Sequence, residues 1–216
     1  MKRFNLSGLI ALGGAKGIGK TRFLLKLANS MANNEKVLFL SWQDCQENLS
    51  NIIHSIDGSI HPNLDINTSL NYLNVGTFLE LIEIIQKNKY TTVFFDDIEN
   101  FTQNDYHDFF CEEKDNAIKA LQYITNANNT TIVFATTITS EEDISISRFN
   151  WSRKIINDCD QIISISRPSH FGLIEDAEGV SLLDNIEISF LKNNLQSFTL
   201  DNKELNIYNN ELLSRL

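Results

Sequence analysis

The feature that most constrains this chain is a glycine-rich segment that lies between an apolar run and an amphipathic segment. Residues 9–12 are apolar, and beyond the glycines apolar residues recur at helical spacing from residue 20 to about residue 32. The segment has the spacing Gly-x-x-x-x-Gly-Lys-Thr and consists of Gly14, Ala15, Lys16, Gly17, Ile18, Gly19, Lys20 and Thr21. A strand, a loop of this spacing and a helix form the phosphate-binding unit of α/β proteins. The pattern therefore predicts a buried strand that enters a phosphate-binding loop.

The residue types in this segment predict a site for ATP and Mg²⁺. Glycines let backbone N–H groups converge on an anion without obstruction by Cβ atoms, and the start of the following helix adds its positive dipole end. Lys20 is expected to reach the β- and γ-phosphates, and the Thr21 hydroxyl is expected to bind Mg²⁺. Arg22 follows directly and is grouped with the nucleotide-binding residues. The strand and helix on either side disfavour a chance match in a glycine-rich turn.

A pair of aspartates at the end of a later apolar run predicts the second half of this site. The run at residues 92–95 ends at Asp96 and Asp97. A carboxylate at the C-terminal end of a buried strand lies beside the phosphate loop, where it can hold Mg²⁺ through water. Asp96 is therefore a predicted metal-binding residue. The alternative is an acidic turn that closes the strand.

Apolar runs alternate with amphipathic segments along the rest of the chain. Strands are predicted at residues 37–40, 64–70, 92–95, 131–135 and 162–165, with helices around residues 49–56, 75–85 and 114–127. Such alternation predicts a parallel sheet with right-handed crossovers. The apolar–polar alternation over residues 186–190 and 195–200 instead predicts an antiparallel hairpin. No linker or repeat interrupts residues 1–216, so one domain is predicted.

The order of these segments resembles the C-terminal ATPase domain of DnaB-type replicative DNA helicases, which has a RecA-like fold. The matching segments are residues 14–27, 37–43, 93–96, 132–137, 158–167 and 186–194. The resemblance implies an α/β, RecA-like P-loop NTPase with a mostly parallel central sheet flanked by helices and a C-terminal antiparallel hairpin. It also implies a ring-shaped homo-oligomer, although the family's N-terminal domain and linker helix do not precede the loop in this sequence.

The sequence departs from the family at positions that matter for hydrolysis. Gln43 stands where the family has its general base, a glutamate, and a carboxamide can orient a water molecule but cannot take its proton. Thr137 stands where the family has a sensor glutamine. Lys192 matches the lysine that the family offers to a neighbouring subunit's γ-phosphate, but Asn194 replaces the arginine, a group typically worth about 10³–10⁵ in rate. Asp97 is a candidate replacement base, and a solvated turn residue is the equal alternative.

Two further sets of residues take their predicted roles from the resemblance. Arg167 is expected near the nucleotide base, with a strand cap as the alternative. The family grips single-stranded DNA with loops inside its ring, and here residues 99–113 are acidic and hostile to phosphate. Residues 140–154 offer a basic and aromatic mixture suited to a strand, namely Arg148, Trp151, Arg153 and Lys154. A net charge of −10 opposes DNA binding, and an ordinary solvated loop is the alternative.

These observations favour an ATP-dependent helicase or translocase of DNA replication or recombination, with ATP or ADP and single-stranded DNA as partners. The alternative is a nucleotide-gated accessory or regulatory protein that binds ATP and turns it over poorly. A small-molecule kinase is weaker, because no arginine-rich lid follows Asp96. Three separated cysteines and the lack of a signal peptide or an apolar membrane span predict a cytoplasmic protein with no membrane partner.

Overall fold

The computed structural model of the chain describes residues 6–70, 75–101, 110–138, 155, 157–177, 179, 181, 186–193 and 205–207. Its strands are β1 (Leu9–Gly14), β2 (Val37–Ser41), β3 (Leu64–Asn67), β4 (Thr92–Asp96), β5 (Thr131–Thr137), β6 (Gln161–Ser166), β7 (Ile186–Asn193) and β8 (Leu205–Ile207). Its helices are α1 (Lys20–Met31), α2 (Gln46–Asp57), α3 (Val75–Asn88), α4 (Ile98–Phe101) and α5 (Phe110–Asn128), with a short 3-10 helix at Pro168–Phe171.

The strands form one mixed sheet in the order β3-β2-β4-β5-β1-β6-β7-β8. The six strands from β3 to β6 run parallel, while β7 and β8 are antiparallel to their neighbours. Strand β5 lies between β1 and β4, and the strand register pairs Gly14 with Thr137 and Ser41 with Asp96. These four residues mark what we call the carboxyl end of the sheet. The predicted α/β fold, mostly parallel with an antiparallel C-terminal pair, is confirmed.

Helices cover both faces of the sheet because successive residues of each strand point to opposite faces. In β4, Phe94 packs in the cluster that contains α1 and α2, whereas Val93 and Phe95 pack in the cluster that contains α3 and α5. Burial of each such side chain contributes about 1.5–3 kcal/mol to folding. Asp96 is two residues beyond Phe94, so this alternation turns its side chain toward α1. The core thus determines which face of the sheet carries the acidic group.

The predicted boundaries of α5 and β3 differ from the structure. Helix α5 begins at Phe110 rather than near residue 114, because its first turns contain polar helix formers that an argument from apolar spacing misses. Strand β3 ends at Asn67 rather than at residue 70, where the Asn67 side chain accepts a hydrogen bond from the Ser69 N–H at 2.8 Å and forms a turn. Strand β7 pairs with β6 and β8, and residues 195–200, predicted as the second strand of the hairpin, lie outside the described residues.

None of the helices within the described ranges has both the length and the apolar character needed to cross a bilayer.

Candidate nucleotide-binding site

The loop between β1 and α1 takes a shape that only its glycines allow. A Cβ atom added to Gly14 would lie 2.9 Å from Cγ2 of Ile18 and 3.2 Å from the carbonyl oxygen of Ile165. Gly17 and Gly19 have φ angles of 81° and 100°, in the left-handed region that disfavours other residues. Gly19 is the N-cap of α1, and no side chain caps the helix start in the part of the chain that the structure describes. The first N–H groups of α1 are therefore suited to an anion.

The predicted loop residues divide into those that anchor the loop and those that face outward. Ala15 and Ile18 are buried, and the Ile18 side chain joins the core cluster beneath α1. Lys16 and Gly17 are exposed, and Arg22 lies exposed in the first turn of α1. The buried pair fixes the loop to the sheet, so that its outer side remains accessible to a ligand.

Lys20 folds back over the loop. Its Nζ donates hydrogen bonds to the carbonyl oxygens of Gly14 at 2.9 Å and Ala15 at 3.1 Å. Burial lowers the pKa of Lys20, while the negative charges of Glu99, Asp97 and Asp96 raise it. The ammonium group thus lies at the point where the phosphate loop meets the carboxylates that follow β4.

Thr21 and Asp96 meet across the start of α1. The Thr21 hydroxyl donates a hydrogen bond of 3.1 Å to Oδ1 of Asp96. The Asp96 side chain is only 2% exposed, and burial raises the pKa of its carboxyl group to about 7. Nearby Asp97 and Asp44 raise it further, whereas the Thr21 hydrogen bond and Lys20 act in the opposite direction. A buried carboxyl group with this pKa gains strongly from a nearby cation.

The donor atoms around Asp96 fit Mg²⁺. The second oxygen of Asp96 and the hydroxyl of Ser41, its register partner on β2, are buried and have no hydrogen-bond partner among the described residues. Hydroxyl and carboxylate oxygens are the ligands that Mg²⁺ prefers, and it usually keeps several waters and phosphate oxygens besides one or two protein ligands. No cluster of three or more His, Cys, Asp or Glu side chains that could hold a metal ion occurs in the described part of the chain.

Gln43 and Asp97, both predicted to be catalytic, are in contact. The Gln43 Nε2 donates a hydrogen bond of 2.7 Å to Oδ2 of Asp97. Asp97 is only 8% exposed, which excludes the alternative of a solvated turn residue. Asp97 therefore lies in the site, with its carboxylate held by the carboxamide that occupies the family's glutamate position.

Glu99 belongs to the site, although the sequence analysis placed it in an acidic loop hostile to phosphate. Its Oε1 accepts hydrogen bonds from the Thr136 hydroxyl at 2.6 Å and from the Thr137 N–H at 2.8 Å. Burial raises the pKa of Glu99, whereas the two threonine hydrogen bonds lower it and Asp97 raises it further. No local sequence signal indicates this position, because Asp96 ends a strand and the two threonines lie 37 and 38 residues beyond Glu99.

Arg167 follows β6 at the carboxyl end of the sheet and lies against the phosphate loop. Its Nη2 is 3.3 Å from the position that a Cβ atom on Gly19 would occupy. Its buried Nε has no hydrogen-bond partner among the described residues. The guanidinium is therefore close to the predicted phosphate site, and its contact with a bound nucleotide stays a prediction.

Lys192 lies away from the phosphate loop. Its Nζ donates a hydrogen bond of 2.7 Å to the carbonyl oxygen of Cys159, which precedes β6 at the opposite end of the sheet. Strand register pairs Lys192 with Ile162 and Ile162 with Ala11, three residues before Gly14. At about 3.3 Å per residue, this separates Lys192 from the loop by roughly 10 Å along the strands. A catalytic role for Lys192 thus requires a neighbouring subunit.

The predicted DNA-binding residues lie outside the described residues. They are Arg148, Trp151, Arg153 and Lys154. Asn194, which replaces the family's arginine, also lies outside them.

Comparison with known proteins supports the fold at the level of structure. No protein-family profile matches the sequence, and no curated protein matches it. The chain superposes on a DnaB-like replicative helicase, studied together with its interactions with primase, at 14% identity and a TM-score of 0.68, over 87% of this chain and 52% of that chain. It also superposes on a second solved structure, an ATPase domain, at 14% identity and a TM-score of 0.67, over 87% of this chain and 77% of that chain.

These superpositions confirm that the fold resembles that of DnaB-like ATPase domains, as predicted. The chain spans about half the length of the first structure, the DnaB-like helicase. The chain has a RecA-like P-loop fold.

Proposed function

We propose that this chain binds Mg·ATP on residues 14–21 and hydrolyses it as the ATP-driven domain of a helicase- or translocase-like protein of DNA replication or recombination. The observation that carries the proposal is the convergence of Lys20, Thr21 and Asp96 at one end of the sheet, within hydrogen-bond distance of the loop or of each other. Their chemistry is that of a phosphate and magnesium site, and the RecA-like fold supports this assignment.

Each of these residues has a distinct task in the proposed complex. The loop N–H groups and the start of α1 bind the phosphates, and Lys20 turns its ammonium from the loop carbonyls toward the β- and γ-phosphates. Thr21 and Asp96 hold Mg²⁺, which supplies neutralising charge to the phosphates when it is bound. Arg167 adds a positive charge beside Gly19. Gln43 orients a water molecule or a carboxylate, since it cannot accept a proton.

The action on DNA rests on the structural likeness to helicase ATPase domains and on the basic and aromatic residues 148–154. Single-stranded DNA would stack on Trp151, and Arg148, Arg153 and Lys154 would contact its phosphates. In a ring-shaped homo-oligomer, Lys192 would act on the γ-phosphate of the neighbouring subunit. The proposed protein acts in the cytoplasm.

A nucleotide-gated accessory protein is the second candidate, and the contacts of two residues favour it. The amide of Gln43 is bound to Asp97, and the ammonium of Lys192 is bound to the Cys159 carbonyl, so neither is presented to a phosphate. A net charge of −10 also opposes binding to DNA. Such a protein would bind ATP tightly, change shape and turn over slowly.

Steady-state ATP hydrolysis, measured with and without single-stranded DNA, separates the two candidates. A motor should show turnover that rises with DNA and is lost in Lys20→Ala. Replacement of Arg148, Arg153 and Lys154 by alanine should remove the stimulation by DNA and leave the basal rate. Tight ATP binding with negligible turnover, together with a monomer that does not respond to ATP on size-exclusion chromatography, would contradict the motor and favour the accessory protein.

A further inference from the structure

We propose that Glu99 is the general base that activates the attacking water, in place of the glutamate that Gln43 replaces. This inference rests on the proposed function, because it assigns a catalytic residue to that same site. Glu99 lies in the first turn of α4, directly after β4 and three residues beyond Asp96. The carboxylate that is absent at the end of β2 is thus supplied from the end of β4.

A continuous set of contacts places Glu99 at the phosphate loop. Its Oε1 accepts a hydrogen bond of 2.8 Å from the Thr137 N–H. Thr137 is the register partner of Gly14, whose carbonyl oxygen accepts the 2.9 Å hydrogen bond from Lys20. Since β5 lies between β1 and β4, a carboxylate that reaches the end of β5 lies between the phosphate loop and Asp96. The γ-phosphate must lie in this space if Lys20 and a metal ion at Asp96 both contact it.

The carboxylates of Asp96 and Asp97, at the same end of the sheet, are engaged by other groups. Asp96 accepts the hydrogen bond from Thr21 and faces the predicted metal position. Oδ2 of Asp97 accepts the hydrogen bond from Gln43 at 2.7 Å, which ties this carboxylate to the residue that follows β2. Thr136 and Thr137 fix Oε1 of Glu99, and burial, the largest influence on the pKa of Glu99, raises that pKa and strengthens the group as a proton acceptor, while the two threonine hydrogen bonds act in the opposite direction.

The chemical step balances with ATP and water alone. The water oxygen forms a bond to the γ-phosphorus while one water proton passes to the Glu99 carboxylate. The bond between the γ-phosphorus and the oxygen that bridges to the β-phosphorus breaks, and its electron pair leaves with ADP. Glu99 then releases the proton to solvent, so the products are ADP, inorganic phosphate and one proton.

The test compares Glu99→Gln with wild type and with the matched control Glu83→Gln. Glutamine keeps an oxygen that can accept the bonds from Thr136 and Thr137, but it cannot take a proton. We expect Glu99→Gln to lower kcat about 100-fold or more while its ATP affinity stays within about threefold of wild type. Nucleotide recovered from this variant after incubation should be ATP rather than ADP. Glu83 is exposed on α3, so its variant should match wild type in both measurements.

Two further variants show which carboxylate is the base. Asp97→Asn should retain more turnover than Glu99→Gln, and Glu99→Asp should retain part of the rate because it keeps a carboxylate. Turnover by Glu99→Gln at the wild-type rate would overturn the inference, as would an equal loss of affinity and kcat, which marks a structural role. Wild-type protein that binds ATP without turnover would also overturn it while leaving nucleotide binding intact. Failure of wild type to bind ATP would instead refute the proposed function.

Discussion

Two clusters in this molecule each place one lysine beside carboxyl groups, but they differ in surroundings and in balance of charge. The Lys36 cluster lies at the other end of the sheet, where Nζ of Lys36 is 3.8 Å from Oδ2 of Asp65 and 5.0 Å from the centre of the Tyr90 ring. The Tyr90 hydroxyl donates a 2.5 Å hydrogen bond to the same Asp65 oxygen. The Lys36 and Asp65 side chains are 41% and 48% exposed. This cluster has one carboxylate for its one ammonium group, and both groups are partly exposed to solvent.

The Lys20 cluster, formed by Lys20, Asp96, Asp97 and Glu99, contains two buried aspartates and is unbalanced in charge. It has three carboxyl groups for one ammonium, and that ammonium donates to loop carbonyls. Burial raises the pKa values of Asp96 and Glu99, so the ionised form of each carboxyl group would be stabilised by a bound cation. An acidic group beside a lysine therefore indicates a ligand site only where burial and excess negative charge leave that group in need of a cation.

The largest expected difference between the clusters is in stabilisation by ATP. A ligand present at 100 times its Kd stabilises the folded state by about 2.7 kcal/mol. Wild type and Lys36→Ala should both gain a stabilisation of this order from Mg·ATP in thermal unfolding, whereas Lys20→Ala should gain none. Equal stabilisation of the two lysine variants would remove the distinction between the clusters.

The next largest expected effect is a dependence of Mg²⁺ affinity on pH, which arises at Asp96. Burial raises the pKa of Asp96 from 3.8 to about 7, so below pH 7 a proton competes with the metal. Between pH 6 and pH 8 the deprotonated fraction rises about tenfold, and Mg²⁺ affinity measured by calorimetry should rise by a similar factor. Asp96→Asn should bind Mg²⁺ weakly at both pH values, and Asp65→Asn should behave as wild type. An affinity independent of pH in wild type would contradict the burial argument.

In the absence of metal, the raised pKa of Asp96 also predicts how the free energy of unfolding changes with pH. The folded protein holds the Asp96 proton more tightly than the unfolded chain does, so this group stabilises the fold fully below about pH 4. Its contribution is lost as the pH rises through about 7. The free energy of unfolding of wild type relative to Asp96→Asn should therefore fall between these pH values, as measured by urea denaturation.

The smallest expected effect is the loss of folding stability when one hydrogen bond of the Lys36 cluster is removed. Tyr90→Phe removes the hydroxyl that bonds Asp65 and should lower the free energy of unfolding by about 1–2 kcal/mol, as is typical for a hydrogen bond to a charged group. Urea denaturation measures the loss, and ATP affinity should not change. A drop in ATP affinity would show that this cluster is coupled to the nucleotide site.

The parts of the site that are local in sequence could be predicted from it. The loop, Lys20 and Thr21 lie within one strand–loop–helix unit, and Asp96 ends an apolar run whose burial pattern determines its direction. Glu99 could not be predicted, because its partners Thr136 and Thr137 are 37 and 38 residues away and meet it only since β5 lies between β1 and β4. The position of Arg167 against Gly19 depends on strand order in the same way. Strand order is a property of the whole sheet rather than of any segment.

We propose the Lys20 cluster as the Mg·ATP site, and calorimetric titration with ATP is the most direct test of this claim. We expect saturable binding of one ATP per chain to wild type with Mg²⁺, much weaker binding when a chelator replaces Mg²⁺, and no measurable binding to Lys20→Ala. Equal affinity in wild type and Lys20→Ala, or binding that is independent of Mg²⁺, would contradict the claim.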